Sequence, residues 1–335
     1  MYDADSPLVT LEDLTSAREI VRQSGQCIRT PMLHGVQEQY GVDPSIELHL
    51  KLETMQKTGS FKPRGLVNQL RHIPDKAARG EQTLVTISAG NYGKAFAYLT
   101  SLQKLKALVL MPFTAPAERD AVIKGYGADV KRCESLELFP TAERLVAEEG
   151  MHFMHSFDDV KLIAGFGSLG FEILEDLGDP DVVVVCCGGG CVLAGTAAAI
   201  KLSGRTKTRV YGVEPQGACA MFRSRQAGYP VKETKIQTVA AGLAPPFAGP
   251  NSYRHNKAFV DGMIVVTDDE IKQAVRTLYH GGLVVEPSGA AAFAALQNHK
   301  IPDTRGKKVV IVLTGSNMSP QELCKYMPNY VKSNL

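Results

Sequence analysis

Thr58-Gly59-Ser60-Phe61-Lys62-Pro63-Arg64-Gly65 is the stretch on which the reading of this chain turns. It follows a strand-like run, Glu47 to Glu53, and opens a helical pattern that continues through Arg64–Arg71. Proline lacks a backbone donor where a helix has none to lose, so Pro63 reads as the first helical residue. Lys62 then sits at the helix mouth, where unpaired N–H groups gather and the dipole is positive. A cation is poorly placed there. An amine meant to lose its proton is well placed, because a lysine of lowered pKa forms a Schiff base with an aldehyde. Taken alone, the lysine reads better as an ordinary solvated side chain, so the rest of the chain has to decide.

Working outward, the 335 residues carry 44% apolar and 21% charged side chains and a net charge of +2. That is an ordinary globular composition, without the basic field of a nucleic-acid binder. The start, Met1-Tyr2-Asp3-Ala4-Asp5-Ser6, has neither the basic beginning nor the apolar centre of a signal peptide. The uncharged run from Val182 to Ile200 approaches membrane-spanning length. Its glycine-rich middle reads as a buried strand, a tight loop and a buried helix instead. Seven scattered cysteines suit reduced thiols, and the expected setting is the cytoplasm, with no membrane or nucleic-acid partner.

Short β-branched runs alternate with longer helical patterns. Strands are predicted at Glu47–Leu52, Thr83–Ile87, Ala107–Met111, Val182–Cys186, Arg209–Val213, Met263–Val266 and Val309–Leu313. Helices are predicted at Leu11–Ser24, Arg64–Arg71, Gly93–Leu102, Ala117–Gly125, Thr141–Glu149, Phe166–Leu177, Val192–Leu202, Asp268–His280, Ser288–Gln297 and Pro320–Tyr330. Thr267, with Glu270 three residues on, is a capping-box signature. Continuously apolar strands argue for sheets covered on both faces, and the alternation argues for parallel α/β architecture in two groups. The expected site is then at the carboxyl ends of strands.

Three further segments occupy such ends. Ser88-Ala89-Gly90-Asn91-Tyr92-Gly93 joins a strand to a helix, and its backbone N–H groups offer a seat for a carboxylate, with Asn91 able to donate to an anionic ring oxygen. Gly188-Gly189-Gly190-Cys191 joins the buried strand to a helix and suits a phosphate monoester. It lacks dinucleotide spacing and the lysine of a Walker loop. Cys186, Cys187 and Cys191 have the wrong spacing for zinc, and no metal site is assigned. Leu313-Thr314-Gly315-Ser316-Asn317 ends a late strand with a hydroxyl that can face a heteroaromatic nitrogen without holding it protonated. Each alone is a routine turn. Together, an amine, an anion cradle, an amide and a hydroxyl are what pyridoxal 5'-phosphate needs from a protein.

At these motifs the chain resembles the fold-type II pyridoxal-phosphate enzymes, in the serine/threonine dehydratase and serine racemase group. The likeness runs from about Leu11 to Asn317 and includes Val213-Glu214-Pro215 and Val285-Glu286-Pro287. It implies an α/β fold like that of the tryptophan synthase β chain, two open α/β lobes with the cofactor in the cleft. Residues 1–78 and 158–335 would form the large lobe and 79–157 the small one. It implies Lys62 as the catalytic residue, with Phe61, Lys62, Asn91, Gly188, Gly189, Gly190, Cys191, Glu286 and Thr314 around the cofactor. Ser88, Ala89, Gly90, Asn91 and Tyr92 would meet the substrate. A homodimer is common in the group.

The departures carry information. Cys191 stands where a fourth glycine is usual, Tyr92 where histidine is common, and Phe166 where glutamine is common. Relatives that bind a divalent cation join a glutamate like Glu214 to an acidic residue at about 220, which here is Ala220. One carboxylate is a poor nest for a hard cation. The implied activity is an ammonia-lyase that converts a small β-hydroxy amino acid, L-threonine or L-serine, to a 2-oxo acid. The rival is an amino-acid racemase, which carries a second serine after the loop serine where this chain has Ala89. A rival of another class, a non-catalytic amino-acid-binding protein, is disfavoured by the joint retention of Lys62, Asn91 and the glycine loop.

Overall fold

A computed structural model describes residues 6–327. Ten strands are found among them: β1 (Met32–Leu33), β2 (Glu47–Leu52), β3 (Leu84–Ile87), β4 (Ala107–Pro112), β5 (Asp129–Cys133), β6 (His152–Phe153), β7 (Val182–Cys186), β8 (Arg209–Pro215), β9 (Gly262–Val266) and β10 (Lys308–Leu313). They form a six-stranded sheet in the order β1-β2-β10-β7-β8-β9 and a four-stranded sheet in the order β5-β4-β3-β6. All pairings are parallel except β1 with β2. The chain lays down β2, leaves to build the whole small sheet, and returns for β7 to β10. The expected α/β class with two sheets is therefore correct.

The continuous apolar runs have the predicted consequence. In β7, Val183 and Val185 join one core with Val310 and Val312, while Val182, Val184 and Cys186 join a second core with Val309, Ile311 and Leu313. Period-two alternation thus feeds two separate cores, one on each face of the large sheet. The core containing Val183 also takes in Leu84, Val109 and Met111 from the small sheet. A third, smaller cluster of Val85, Leu110, Ala142 and Leu145 covers that sheet's other face.

Three strands escape the sequence reading: β1 and β6 are two residues each, and β5 is a charged edge strand, Asp-Val-Lys-Arg-Cys. Helices Asp75–Ala78, Ala220–Ala227 and Pro250–Phe259 were also not anticipated. The last of these buries Asn251, Ser252, His255 and Asn256, so it has no apolar stripe to announce it. The predicted helix Pro320–Tyr330 is seen over Pro320–Tyr326, and residues 328–330 lie outside the described residues. The capping box at Thr267 and Glu270 forms. No helix among the described residues is long and apolar enough to cross a membrane.

Close helix packing sets the site. Helix Val160–Leu177 runs against helix Cys191–Leu202 through Gly170 and Gly195, where an added Cβ would strike the backbone oxygens of Thr196 and Ile163, and a Cβ at Gly167 would strike Leu14 of the first helix. Gly165 and Phe166 press on Arg64 and Gly65 at the start of helix Lys62–Leu70. Arg64 is fully buried and locks that start in place. Its guanidinium donates to Glu53 at 2.7 and 2.9 Å and to Glu172 at 2.7 and 2.8 Å. Such two-pronged pairs fix orientation as well as charge.

Candidate active site

The carboxyl ends of β3, β7 and β10 open onto one cavity of about 530 Å³, lined by Ile87, Cys186 and Thr314 at those ends. Every site residue named from the sequence lines it: Phe61, Lys62, Ser88, Ala89, Gly90, Asn91, Tyr92, Gly188, Gly189, Gly190, Cys191, Glu286 and Thr314. Residues as far apart as Phe61 and Thr314, 253 positions, thus meet at the strand ends.

Helix Lys62–Leu70 starts one residue earlier than expected, so Lys62 itself is the first helical residue and Pro63 the second. The Lys62 amine touches the backbone oxygen of Ser156 at 3.4 Å and lies 4.9 and 5.6 Å from the ring centres of Phe61 and Tyr92. Burial pulls its pKa down to about 8, only partly opposed by Cys191, Cys186 and Glu286. The lowered pKa expected from the helix dipole is present, but loss of water is its leading cause. Phe166, 1% exposed, packs on Phe61 with ring centres 5.0 Å apart and helps to keep that wall dry.

In the Ser88–Gly93 turn, the Ser88 hydroxyl accepts from the N–H groups of Gly90 at 3.3 Å and Gly93 at 3.0 Å. It therefore shapes the helix start and keeps its own proton to donate. The Asn91 amide donates to Glu286 at 2.5 Å and accepts from Asn317 at 2.8 Å, and Lys94 donates to Asn317 at 2.7 Å. Asn91 is thus held in one orientation from both sides. Burial raises the Glu286 carboxyl to about 7, although the Asn91 bond opposes this. The Tyr92 hydroxyl is buried and donates to Gln69 at 2.6 Å, and burial raises its pKa well above the usual range for a phenol.

The glycine loop has the geometry of an anion cradle. Gly190 has φ +106°, a conformation that favours glycine, and helix Cys191–Leu202 begins there with no side-chain cap. Among the described residues, the N–H groups of Gly188, Gly189, Gly190 and Cys191 donate to no protein acceptor. Buried N–H groups are seldom left so, and four at a helix N-terminus suit a phosphate. A Cβ at Gly189 would run into the Phe157 ring, and one at Gly188 would come within 3.0 Å of the Gly242 oxygen. Cys191 serves here with its backbone, while its thiol turns away to the Phe157 oxygen at 3.0 Å and Ser252 at 3.2 Å. Thr314, 2% exposed, has its hydroxyl 3.1 Å from the Cys186 sulfur.

Glu214 is no open ligand. Both its oxygens accept backbone N–H groups, from Met221 at 2.9 Å and Phe222 at 2.7 Å, so it caps helix Ala220–Ala227. No group of three or more His, Cys, Asp or Glu able to hold a metal occurs among the described residues. All seven cysteines are free thiols.

Sequence reasoning did not single out Ser156, Phe157, Asn317 or Arg119. The first two follow β6, which is too short to read. Asn317 was quoted only as the end of a turn, and its bonds to Asn91, Lys94 and the Thr58 oxygen span more than 220 positions. Arg119 donates to the Ala89 oxygen at 3.3 Å at the cavity mouth, from a helix read only as a helix.

The residues present fit pyridoxal 5'-phosphate: an amine of low pKa, an uncapped glycine-rich helix start, an oriented amide and a buried hydroxyl face one cavity. Comparisons agree. The family model described as "Pyridoxal-phosphate dependent enzyme" matches residues 24–315. A phenylserine dehydratase of Ralstonia pickettii is 35% identical over 320 residues, 95% of this chain and 97% of that one. An L-threonine ammonia-lyase of Thermotoga maritima is 34% identical over 316 residues, 93% of this chain and 76% of that one. The crystal structure of serine racemase from Dictyostelium discoideum superimposes with a TM-score of 0.82 at 32% identity, covering 93% of this chain and 99% of that one.

Proposed function

This chain belongs to the pyridoxal-phosphate dependent enzymes, in the group of serine/threonine dehydratases and serine racemases, and from that premise we propose that it is an ammonia-lyase of β-hydroxy amino acids. The coarser statement, a pyridoxal-phosphate dependent lyase or racemase, follows from the family itself. The finer one is that L-threonine and L-serine are converted to 2-oxo acids and ammonia.

In this reading the cofactor, when bound, supplies an electron sink for the α-carbon. Gly188, Gly189, Gly190 and Cys191 would hold its phosphate through their N–H groups, Thr314 would face its ring nitrogen, and Asn91, steadied by Glu286 and Asn317, would face its ring oxygen. Phe61, whose ring lies beside the Lys62 amine, would pack against it. Lys62 takes the α-proton, and an amine with a pKa of about 8 is partly neutral at physiological pH. Ser88, Gly90, Asn91 and Tyr92 orient the substrate carboxylate through the turn, which aligns the bonds to be broken.

The observation that favours elimination over racemisation is what surrounds Lys62 on the carboxylate-loop side. Racemisation needs a second proton donor on the face opposite Lys62. Ala89 offers only a methyl group there. Ser88 is assigned to the substrate carboxylate, and Tyr92 has its hydroxyl buried and committed to Gln69. Elimination needs only the Lys62 face. The test is release of 2-oxo acid and ammonia from L-threonine and L-serine by the parent and by Lys62→Ala. No oxo acid from any β-hydroxy amino acid would sink the reading. The phenylserine dehydratase among the relatives brings aromatic β-substituents within the range of substrates to be assayed.

The lobe division at residues 79 and 157 belongs to the same proposal, supported by the confinement of all four small-sheet strands to Leu84–Phe153. So do a homodimeric assembly, which rests on the family resemblance and is to be read by light scattering, and a cytoplasmic setting, which the free cysteines favour.

A further inference from the structure

We propose that the cavity contains an apolar subsite for the substrate's β-substituent, built to take an aromatic ring, so that 3-arylserines are preferred over serine and threonine. The inference rests on the lyase reading and adds to it the residues that choose the side chain.

The polar groups nearest the reacting atoms already have roles. Lys62 serves the amino end, the turn Ser88–Asn91 the carboxylate, the glycine loop the phosphate, and Thr314 the ring nitrogen. Part of the remaining wall is an apolar stretch, Leu138, Phe157, Val239, Leu243, Ala244 and Pro245, while Arg119, Ser288, Glu322 and Tyr326 line other parts of the cavity. None of these six side chains donates or accepts a hydrogen bond. A small polar side chain gains nothing from that wall, whereas an aryl group leaves water there.

The position of Phe157 makes the wall specific. It directly follows Ser156, whose backbone oxygen touches the Lys62 amine at 3.4 Å, and its ring covers Gly189 of the cradle. It therefore links the Lys62 amine to the glycine loop. Its ring is fixed by neighbours: His155 edge-on at 4.6 Å and 81°, and Phe247 at 5.2 Å and 59°. Phe247 leans on Phe139 at 6.0 Å, and Phe139 on Phe153 of β6 at 6.5 Å. This run of tilted rings reaches from the small sheet to the edge of the glycine loop. A substrate ring laid against Phe157 would extend it in the tilted geometry that aromatic pairs prefer.

The chemistry balances without an oxidant. Lys62 removes the α-proton, the β C–O bond breaks, and the hydroxyl leaves as water. Hydrolysis of the released enamine takes that water back, so a 3-arylserine gives a 3-aryl-2-oxo acid and ammonia.

The experiment compares kcat/KM of the holoenzyme for L-serine, L-threonine and L-threo-3-phenylserine. It also measures binding of L-phenylalanine and L-alanine, which carry no leaving group, from the absorbance of the bound cofactor. The expected preference for phenylserine over serine is at least about tenfold, in the range that apolar pockets achieve. Ala244→Leu, which fills the subsite, and Phe157→Asn, which wets it, should each lower the phenylserine-to-serine ratio by about tenfold. A parent that prefers serine or threonine, or binds L-phenylalanine no better than L-alanine, overturns the inference and leaves the lyase reading standing. Tighter binding of L-phenylalanine with no oxo acid from any substrate supports the subsite and refutes the lyase reading.

Discussion

The state of the Lys62 amine sets how fast the apoprotein captures its cofactor, and pH is the perturbation that reads it. Only the neutral amine attacks an aldehyde. With a pKa of about 8, roughly one amine in eleven is neutral at pH 7. At the ordinary value of 10.5 only about one in three thousand would be, so burial raises the reactive fraction by about 300-fold. The sign follows: the folded pKa lies below the ordinary one, so capture gains about tenfold per pH unit up to about 8 and then levels. Apoprotein mixed with pyridoxal 5'-phosphate in a stopped-flow absorbance experiment from pH 6 to 10 gives the profile. It is to be corrected for titration of the free cofactor with a model amine. A rate that keeps climbing to pH 10, as for an exposed lysine, would refute the argument that the Phe61, Phe166 and Tyr92 wall keeps this amine dry.

Other outcomes follow from the same geometry. Ala89→Ser should raise racemisation relative to elimination, since a positioned proton donor contributes about 10²–10⁴-fold, and chiral chromatography of serine left after partial turnover reads the ratio. Thr314→Ala should weaken cofactor retention by about three- to tenfold, the worth of one neutral hydrogen bond, whereas Ser316→Ala should not; equilibrium dialysis distinguishes them. If only Ser316→Ala weakens retention, the ring-nitrogen partner is misassigned by two residues. Arg64→Ala leaves the buried Glu53 and the largely buried Glu172 without their partner and should cost about 3–5 kcal/mol in urea unfolding. A loss under 1 kcal/mol would mean that this network does not anchor the Lys62 helix.

What the sequence made legible, and what it hid, divides along physical lines. The large sheet was readable because its inner strands are covered on both faces, so Val182–Cys186 and Val309–Leu313 announce themselves as unbroken apolar runs. The edge strand Asp129–Cys133 has only partial cover and a charged sequence, and it passed as loop. Helix Pro250–Phe259 was hidden because it buries polar residues whose partners, such as Asp158 and Gly190, lie far away in sequence. The site shows the same division. Lys62, the Ser88 turn, the glycine loop and Thr314 belong to local motifs that can be read from the sequence, and the structure brings them to one cavity. Phe157, Asn317 and Arg119 are ordinary residues made significant by contacts across the two sheets. The cause of the low Lys62 pKa was misjudged for the same reason. A helix dipole can be inferred from eight residues, while burial depends on the whole cavity.

One reaction tests the central claim most directly. The holoenzyme is given L-serine, L-threonine and L-threo-3-phenylserine in separate vessels, and each is followed for 2-oxo acid, ammonia and the enantiomer of the remaining amino acid. The account predicts oxo acid and ammonia in equal amounts from at least one of them, with the residual substrate still of the L form. Accumulation of the D enantiomer without ammonia would contradict it, and would identify a racemase with a second-face proton donor, such as Tyr92, that the account does not credit.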